Sequence, residues 1–308
     1  MQNNLQLTKE LFEPISVDLR QAEEIKRPSL SFWADAWRRL KMNKVAMASL
    51  LFIIILIILA IFVPILSSND YFTTDLAGKN KKPSAEHWFG TDDLGRDIFV
   101  RTWYGARISL EVGFAAALID LIVGIIWGGI SGFYGGKVDE VMMRIADILF
   151  AIPYLLVVIL LMVVMEPGVG TIILALTITG WIGMARIVRG QIMQLKTQEF
   201  VLAARSLGAD SSRLIFKHLI PNALGPIIVT LSLTVPSAIF TEAFLSFIGL
   251  GVAAPIASWG TMSNEGLPAM KYYPWRLMFP AVFISVTMLA FNLLGDGIRD
   301  AVDPRLRK

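Results

Sequence analysis

Polar and apolar positions alternate along this chain in long blocks rather than with the short periods of a soluble fold. A mostly polar stretch fills the first 44 positions, and then an uncharged apolar run covers 45–66, opening on AMASLLFIIILIILAIF. A span of the hydrocarbon core needs about 20 such residues, so this run predicts a membrane helix. Further runs follow at 109–133, 145–165, 171–187, 224–252 and 277–294. Only Glu166-Pro167-Gly168 separates the third from the fourth. The pattern predicts an all-α integral membrane protein with about six spans. Because the first apolar run is too long and too far in for a cleavable signal peptide, it is expected to stay as an anchor.

Composition agrees. Of 308 residues 55% are hydrophobic and 17% charged, against roughly 25% charged in soluble domains. The net charge of +3 gives no footprint for nucleic acid. There are no cysteines and only two histidines, His87 and His218. That excludes disulfides, thiolate metal sites and cysteine nucleophiles, and no metal-ligand spacing is present.

Basic residues near span ends set the expected orientation. Arg38, Arg39, Lys41 and Lys44 crowd the first span, which places the N-terminus in the cytoplasm. Six spans return the C-terminus to the same side, where Arg305, Arg307 and Lys308 lie. Arg189, Lys196, Arg205, Arg213 and Lys217, between the fourth and fifth spans, agree. The outer segment 67–108 fits less well, because it carries six basic residues matched by six acidic ones. The expected organisation is a cytoplasmic segment 1–44, a first helix 45–66, an extracellular loop 67–108, a membrane core 109–297 and a cytoplasmic tail 298–308.

The segment 198–222 reads QEFVLAARSLGADSSRLIFKHLIPN. Its pattern predicts a short helix over 200–207, with Ala204 and Gly208 four apart on one face. Gly208 suits a left-handed helix end, and Asp210, Ser211 and Ser212 are candidate N-caps for a second short helix, which Pro221 closes. The result is a helix-turn-helix with a small-residue shoulder that another backbone could approach. An ordinary amphipathic connector would look similar.

The spacing resembles the coupling loop of binding-protein-dependent ABC importer permeases: Glu-Ala-Ala, three residues, Gly, nine residues, Ile-x-Leu-Pro. Ala203, Ala204, Gly208 and Pro221 match. Leu202 replaces Glu, while His218 and Ile220 replace Ile and Leu. The stretch 87–110, HWFGTDDLGRDIFVRTWYGARISL, is similar to the signature preceding the first core span of the oligopeptide and dipeptide branch. Gly90, Thr91, Asp92, Gly95, Arg96, Asp97, Gly105 and Arg107 carry that likeness; without it they would read as a solvated polar loop. LSFIGLG at 245–251, Ser258-Trp259-Gly260 and GDGIRDAVDP at 295–304 resemble that branch's C-type subunit.

The resemblance implies a type I ABC importer permease fold and alternating access. It also implies four partners beside the lipid bilayer: a homologous second permease, two cytoplasmic ATP-binding subunits and an extracellular peptide-binding protein. Leu202, Ala203, Ala204, Arg205, Gly208, Ala209, Phe216, His218 and Pro221 would form the coupling loop. ATP and Mg2+ would belong to partner chains, with no cofactor on this one. The nearest phosphate-loop candidate, SGFYGGKV at 131–138, lacks the leading Gly and the final Ser or Thr and reads instead as a tight turn. Dipeptide, oligopeptide and nickel permeases share these signatures.

Two membrane carboxylates, Asp120 and Glu242, mark either the translocation path or pairing between helices, since charge inside a bilayer is costly. They also keep an ion-coupled secondary transporter open as an alternative. A membrane hydrolase lacks a histidine base within any span. Pro236 is expected to kink the fifth span. Trp259, Tyr272, Tyr273 and Trp275 read as interfacial aromatics, where the resemblance adds a receptor-docking role.

Overall fold

The computed structural model describes residues 31–303. Its helices are α1 (Phe32–Met42), α2 (Lys44–Leu66), α3 (Ile98–Tyr134), α4 (Gly136–Ala151), α5 (Tyr154–Met165), α6 (Val169–Leu195), α7 (Glu199–Ser206), α8 (Ile220–Phe247), α9 (Trp259–Gly266) and α10 (Trp275–Val302). Among the described residues there is no β-strand, and one isolated bridge pairs Thr91 with Asp97.

α2 shows why the bundle holds together in lipid. The side chain of Asn43 accepts from the Val45 and Ala46 amides at 3.1 Å, capping the helix start. A seam of Ala46, Ser49, Ile53, Leu56 and Ala60 recurs every three or four residues and is buried. The rest of the surface, including Leu51, Ile54, Ile58 and Phe62, is exposed and apolar. One face therefore packs on protein and the others suit acyl chains.

The centre of the bundle is a parallel pair, α3 and α6. Gly124, Gly128 and Gly132 repeat every fourth residue on α3. Side-chain carbons there would meet Met184 at 2.6 Å, the Arg189 amide at 2.9 Å and the Arg189 carbonyl at 2.8 Å respectively. Small residues at this period let two membrane helices approach until dispersion contacts dominate. Met184, Ala185, Val188 and Ile192 of α6 are buried beside them.

For α3 and α6 to run parallel, the chain must return across the membrane between them. The third span does this as α4 and α5, bent by 78°, where a single helix over 145–165 was expected. Pro153 lies in the break and precludes a continuous ladder. Five other helices are long and apolar enough to cross. Counting the bent pair as one span gives six crossings among the described residues, in keeping with the packing of α1 on α10, so α1 and the end of α10 lie at the same end of the bundle. Gly135 and Gly136, at φ +66° and +52°, make the tight turn into α4.

Further boundaries shift. α3 starts at Ile98 rather than near 109 and has 37 residues, about 56 Å at 1.5 Å per residue. It thus runs unbroken from the loop region into the core. The fifth span stops at Phe247 and stays one helix through Pro226 and Pro236. Trp259 is fully buried, its indole donating to the Thr102 carbonyl at 3.0 Å, and Trp275 is also buried. Neither is interfacial; Tyr272 is exposed. The basic tail 305–308 lies outside the described residues.

Candidate coupling surface

α7 sits at the end of the bundle shared by α1 and the α10 terminus. Val201 is its anchor, wholly buried against Val188, Ile192, Leu214 and Leu219. At its C-terminus Gly208 takes φ +84°, and the Ala209 amide donates back to the Ala204 carbonyl at 3.1 Å. This left-handed closure satisfies carbonyls that a helix end leaves open. The Asp210 side chain then accepts from the Arg213 amide at 2.9 Å, starting the next turn.

That turn is not a separate helix. Residues Leu214–Leu219 form a π-helical turn that runs directly into α8. Pro221, expected to close the unit, instead stands in the first turn of α8. It has no amide to donate, and the wider π turn just before it absorbs the missing bond.

The shoulder is also composed differently from its sequence reading. Ala204 and Ala209 pack inward against the Val201–Leu219 cluster, and His218 is half-buried. Phe200, Leu202, Ala203, Arg205, Leu207, Gly208 and Phe216 face outward, with Leu207 88% exposed. The outward surface is thus apolar and aromatic around Ala203 and Gly208. Two ties hold its base. Arg189 of α6 makes a bidentate ion pair with Asp139 of α4 at 2.5 Å on both arms. Lys196 donates to the Gly132 and Phe133 carbonyls at 2.8 and 3.2 Å. Sequence reasoning missed these, because Asp139 and Arg189 are 50 residues apart.

At the opposite end the signature segment is a folded cap rather than a solvated loop. Thr91 accepts from the Lys81 amide at 2.8 Å and donates to the Gly78 carbonyl at 2.5 Å. Asp92 accepts from the Leu94 and Arg96 amides, each at 2.9 Å, and from Arg96 Nε at 2.6 Å. Asp97 caps α3 through the Val100 amide at 3.0 Å and contacts His87 Nδ1 at 2.7 Å. Arg96 and Arg101 both reach Glu265 of α9, at 3.0 and 2.9 Å. Gly90 and Gly95 have φ of +79° and +75°. A side-chain carbon at Gly105 would sit 3.2 Å from the Ser258 and Trp259 backbone. Only Arg107 of this set is exposed.

The two membrane carboxylates have unlike surroundings. Glu242 of α8 is fully buried and accepts hydroxyl bonds from Ser109 and Ser246, both at 2.7 Å. Asp120 of α3 is also buried, yet it makes no hydrogen bond or ion pair among the described residues, and its Oδ1 is enclosed without a donor. Beside it lies a cavity of about 480 Å3 between α3, α5, α6 and α8. Among the described residues no group of three His, Asp or Glu could hold a metal ion.

Residues 123–308 match the family of binding-protein-dependent transport system inner membrane components. Residues 31–83 match the N-terminal membrane domain of oligopeptide transport permease C. The chain is 63% identical to oligopeptide transport system permease protein OppC of Bacillus subtilis (strain 168), covering all of both proteins. It is 60% identical to dipeptide transport system permease protein DppC of the same organism, over 94% of this chain and 91% of the relative. For OppC of Escherichia coli (strain K12) the identity is 45%, over 93% and 95%. A solved structure titled as an inward-facing conformation of the MetNI methionine ABC transporter aligns with TM-score 0.54 at 18% identity. It covers 65% of this chain and 94% of that one, a likeness of fold alone. The chain therefore belongs to the binding-protein-dependent ABC importer permeases, as a membrane-embedded C-type member of their oligopeptide and dipeptide branch.

Proposed function

We propose that this chain is the non-catalytic C-type half of a channel that imports short peptides, driven by ATP hydrolysis on partner subunits. The observation that carries it is identity of 60% or more, over at least nine-tenths of each chain, with two peptide permeases, joined to an α7 whose apolar surface has no cover among the described residues. The α7 end faces the cytoplasm, consistent with the basic residues around it. Segments 1–44 and 298–308 then lie inside, 67–108 lies outside, and 109–297 is the translocating core. The ordered cap and α9 offer the extracellular peptide-binding protein a rigid surface. Two ATP-binding subunits close on ATP and move α7; through Val201 and the Asp139–Arg189 tie this motion reaches α6 and the bend between α4 and α5. Such a moving element couples two distant sites. A homologous second permease completes the channel. The chain itself needs no nucleotide or Mg2+ site.

Affinity purification of the tagged chain from its native membrane tests this reading. It is expected to bring down a second permease and nucleotide-binding chains, with ATP hydrolysis stimulated by peptide-loaded receptor. A preparation without any nucleotide-binding chain contradicts it.

A further inference from the structure

The cavity beside Asp120 has a one-sided chemistry. Its walls carry Tyr154 at the bend into α5 and a hydroxyl row of Thr230, Thr234, Ser237 and Thr241 along one face of α8. Three of these hydroxyls spend their proton on their own helix: Thr230 donates to the Pro226 carbonyl at 2.9 Å, Thr234 to Thr230 at 3.0 Å and Thr241 to Ser237 at 2.8 Å. What each can still offer the cavity is lone pairs. Asp120, 5% exposed, adds a carboxyl oxygen with no donor, and the Tyr154 hydroxyl is enclosed and equally unpartnered. The packing makes room for this carboxyl, since a methyl group on Gly180 would collide with it.

A buried polar group without a partner costs free energy, and a carboxyl costs most. Helices at membrane depth seldom retain one unless a ligand or a path uses it. A buried carboxyl with no donor, ringed by hydroxyl oxygens, suits a compact group with several N–H bonds and a positive charge. A primary ammonium has three donors and no acceptor. Glu242 offers no such vacancy, its two oxygens being held by Ser109 and Ser246.

We infer that Asp120, with Tyr154 and the α8 hydroxyl row, forms a subsite for the protonated amino terminus of the transported peptide. This rests on the peptide-import reading above. The ammonium meets the Asp120 carboxyl at Oδ2, the oxygen that is not sealed inside the packing, while the hydroxyl lone pairs accept its remaining N–H bonds, and the peptide body extends through the cavity. A free amino terminus is then a recognition element inside the channel, independent of any selection by the receptor.

The absence of cysteine in this chain gives a direct test. Ser237→Cys places a small thiol on the cavity wall. The complete complex, in nanodiscs without receptor, is alkylated with a small thiol reagent, and labelling of this chain is followed by mass. Trialanine at millimolar concentration is expected to slow labelling several-fold, N-acetyl-trialanine is not, and adding Asp120→Asn abolishes the protection. Equal protection by the two peptides, no protection by either, protection that survives Asp120→Asn, or a thiol that never labels each overturns the subsite. Uptake of trialanine by wild-type proteoliposomes is measured in parallel. Uptake without protection sinks the subsite alone, whereas no uptake sinks the peptide reading on which it depends.

Discussion

At the residue scale, Glu242 illustrates how a charge-bearing side chain can be structural inside a bilayer. Both of its oxygens accept from serines on two helices, Ser109 of α3 and Ser246 of its own α8. Truncation leaves two buried hydroxyls unpaired beside a void, each costing about 1–3 kcal/mol, whereas an amide can still bond both because serine hydroxyls rotate. Glu242→Ala is therefore expected to lower the complex's midpoint of thermal unfolding clearly, and Glu242→Gln only slightly. Thermal unfolding in nanodiscs checks this, and similar shifts for both variants would rule out the pairing argument. The sequence marks Glu242 and Asp120 as two carboxylates at membrane depth and nothing more. What separates them is a serine 133 residues away and a glycine on another helix, neither of which has a local signal. The signature charges were hidden for the same reason: Arg101 finds Glu265 across 164 positions.

At the element scale, hydropathy located the apolar runs well, because lipid imposes a length on any helix that crosses it. It misjudged what happens inside and between them. The third span hides a 78° bend, for apolar content alone does not report direction. The π turn at Leu214–Leu219 joins two pieces that the caps and Pro221 divide in the sequence pattern. In sequence Ala203, Ala204 and Gly208 predict a small-residue α7 surface; burial turns Ala204 inward and leaves Phe200, Leu207 and Phe216 outside. The seam of α3 and α6 yields a sharper prediction. At Gly128 a side chain meets the Ala185 carbonyl and the Arg189 amide, so Gly128→Val must push the helices apart. Its folded yield in the membrane should fall several-fold, measured by fluorescence-detected gel filtration. A normal monodisperse peak would show that the seam is looser than described.

At the scale of the whole molecule, six crossings put α1, α7 and the end of α10 on one side, and the cap with α9 on the other. The apolar runs predict the same even number, and the basic residues near span ends predict cytoplasmic termini, although the mixed charges of 67–108 oppose that orientation. Two of those basic residues, Arg96 and Arg101, are buried in ion pairs of the cap, so they belong to tertiary structure and not to a topogenic loop, while Lys79, Lys81, Lys82 and Arg107 are exposed. The assignment predicts that, in intact cells, an impermeant maleimide labels Lys79→Cys. Leu207→Cys should label only after the membrane is opened. The reverse pattern would invert the orientation.

The central claim is that ATP-driven motion enters this chain at α7. Gly208 tests it most directly, because its φ of +84° shapes the turn and no atom lies near enough to clash with a side chain there. Gly208→Glu therefore places a charge and backbone strain on the docking surface while leaving the bundle intact. ATP-dependent uptake of labelled trialanine should be measured with wild-type and Gly208→Glu complexes in proteoliposomes, with ATP supplied on the α7 side. Loss of uptake by the variant, at wild-type levels of folded permease in the membrane, is the predicted result; uptake at the wild-type rate would contradict the account.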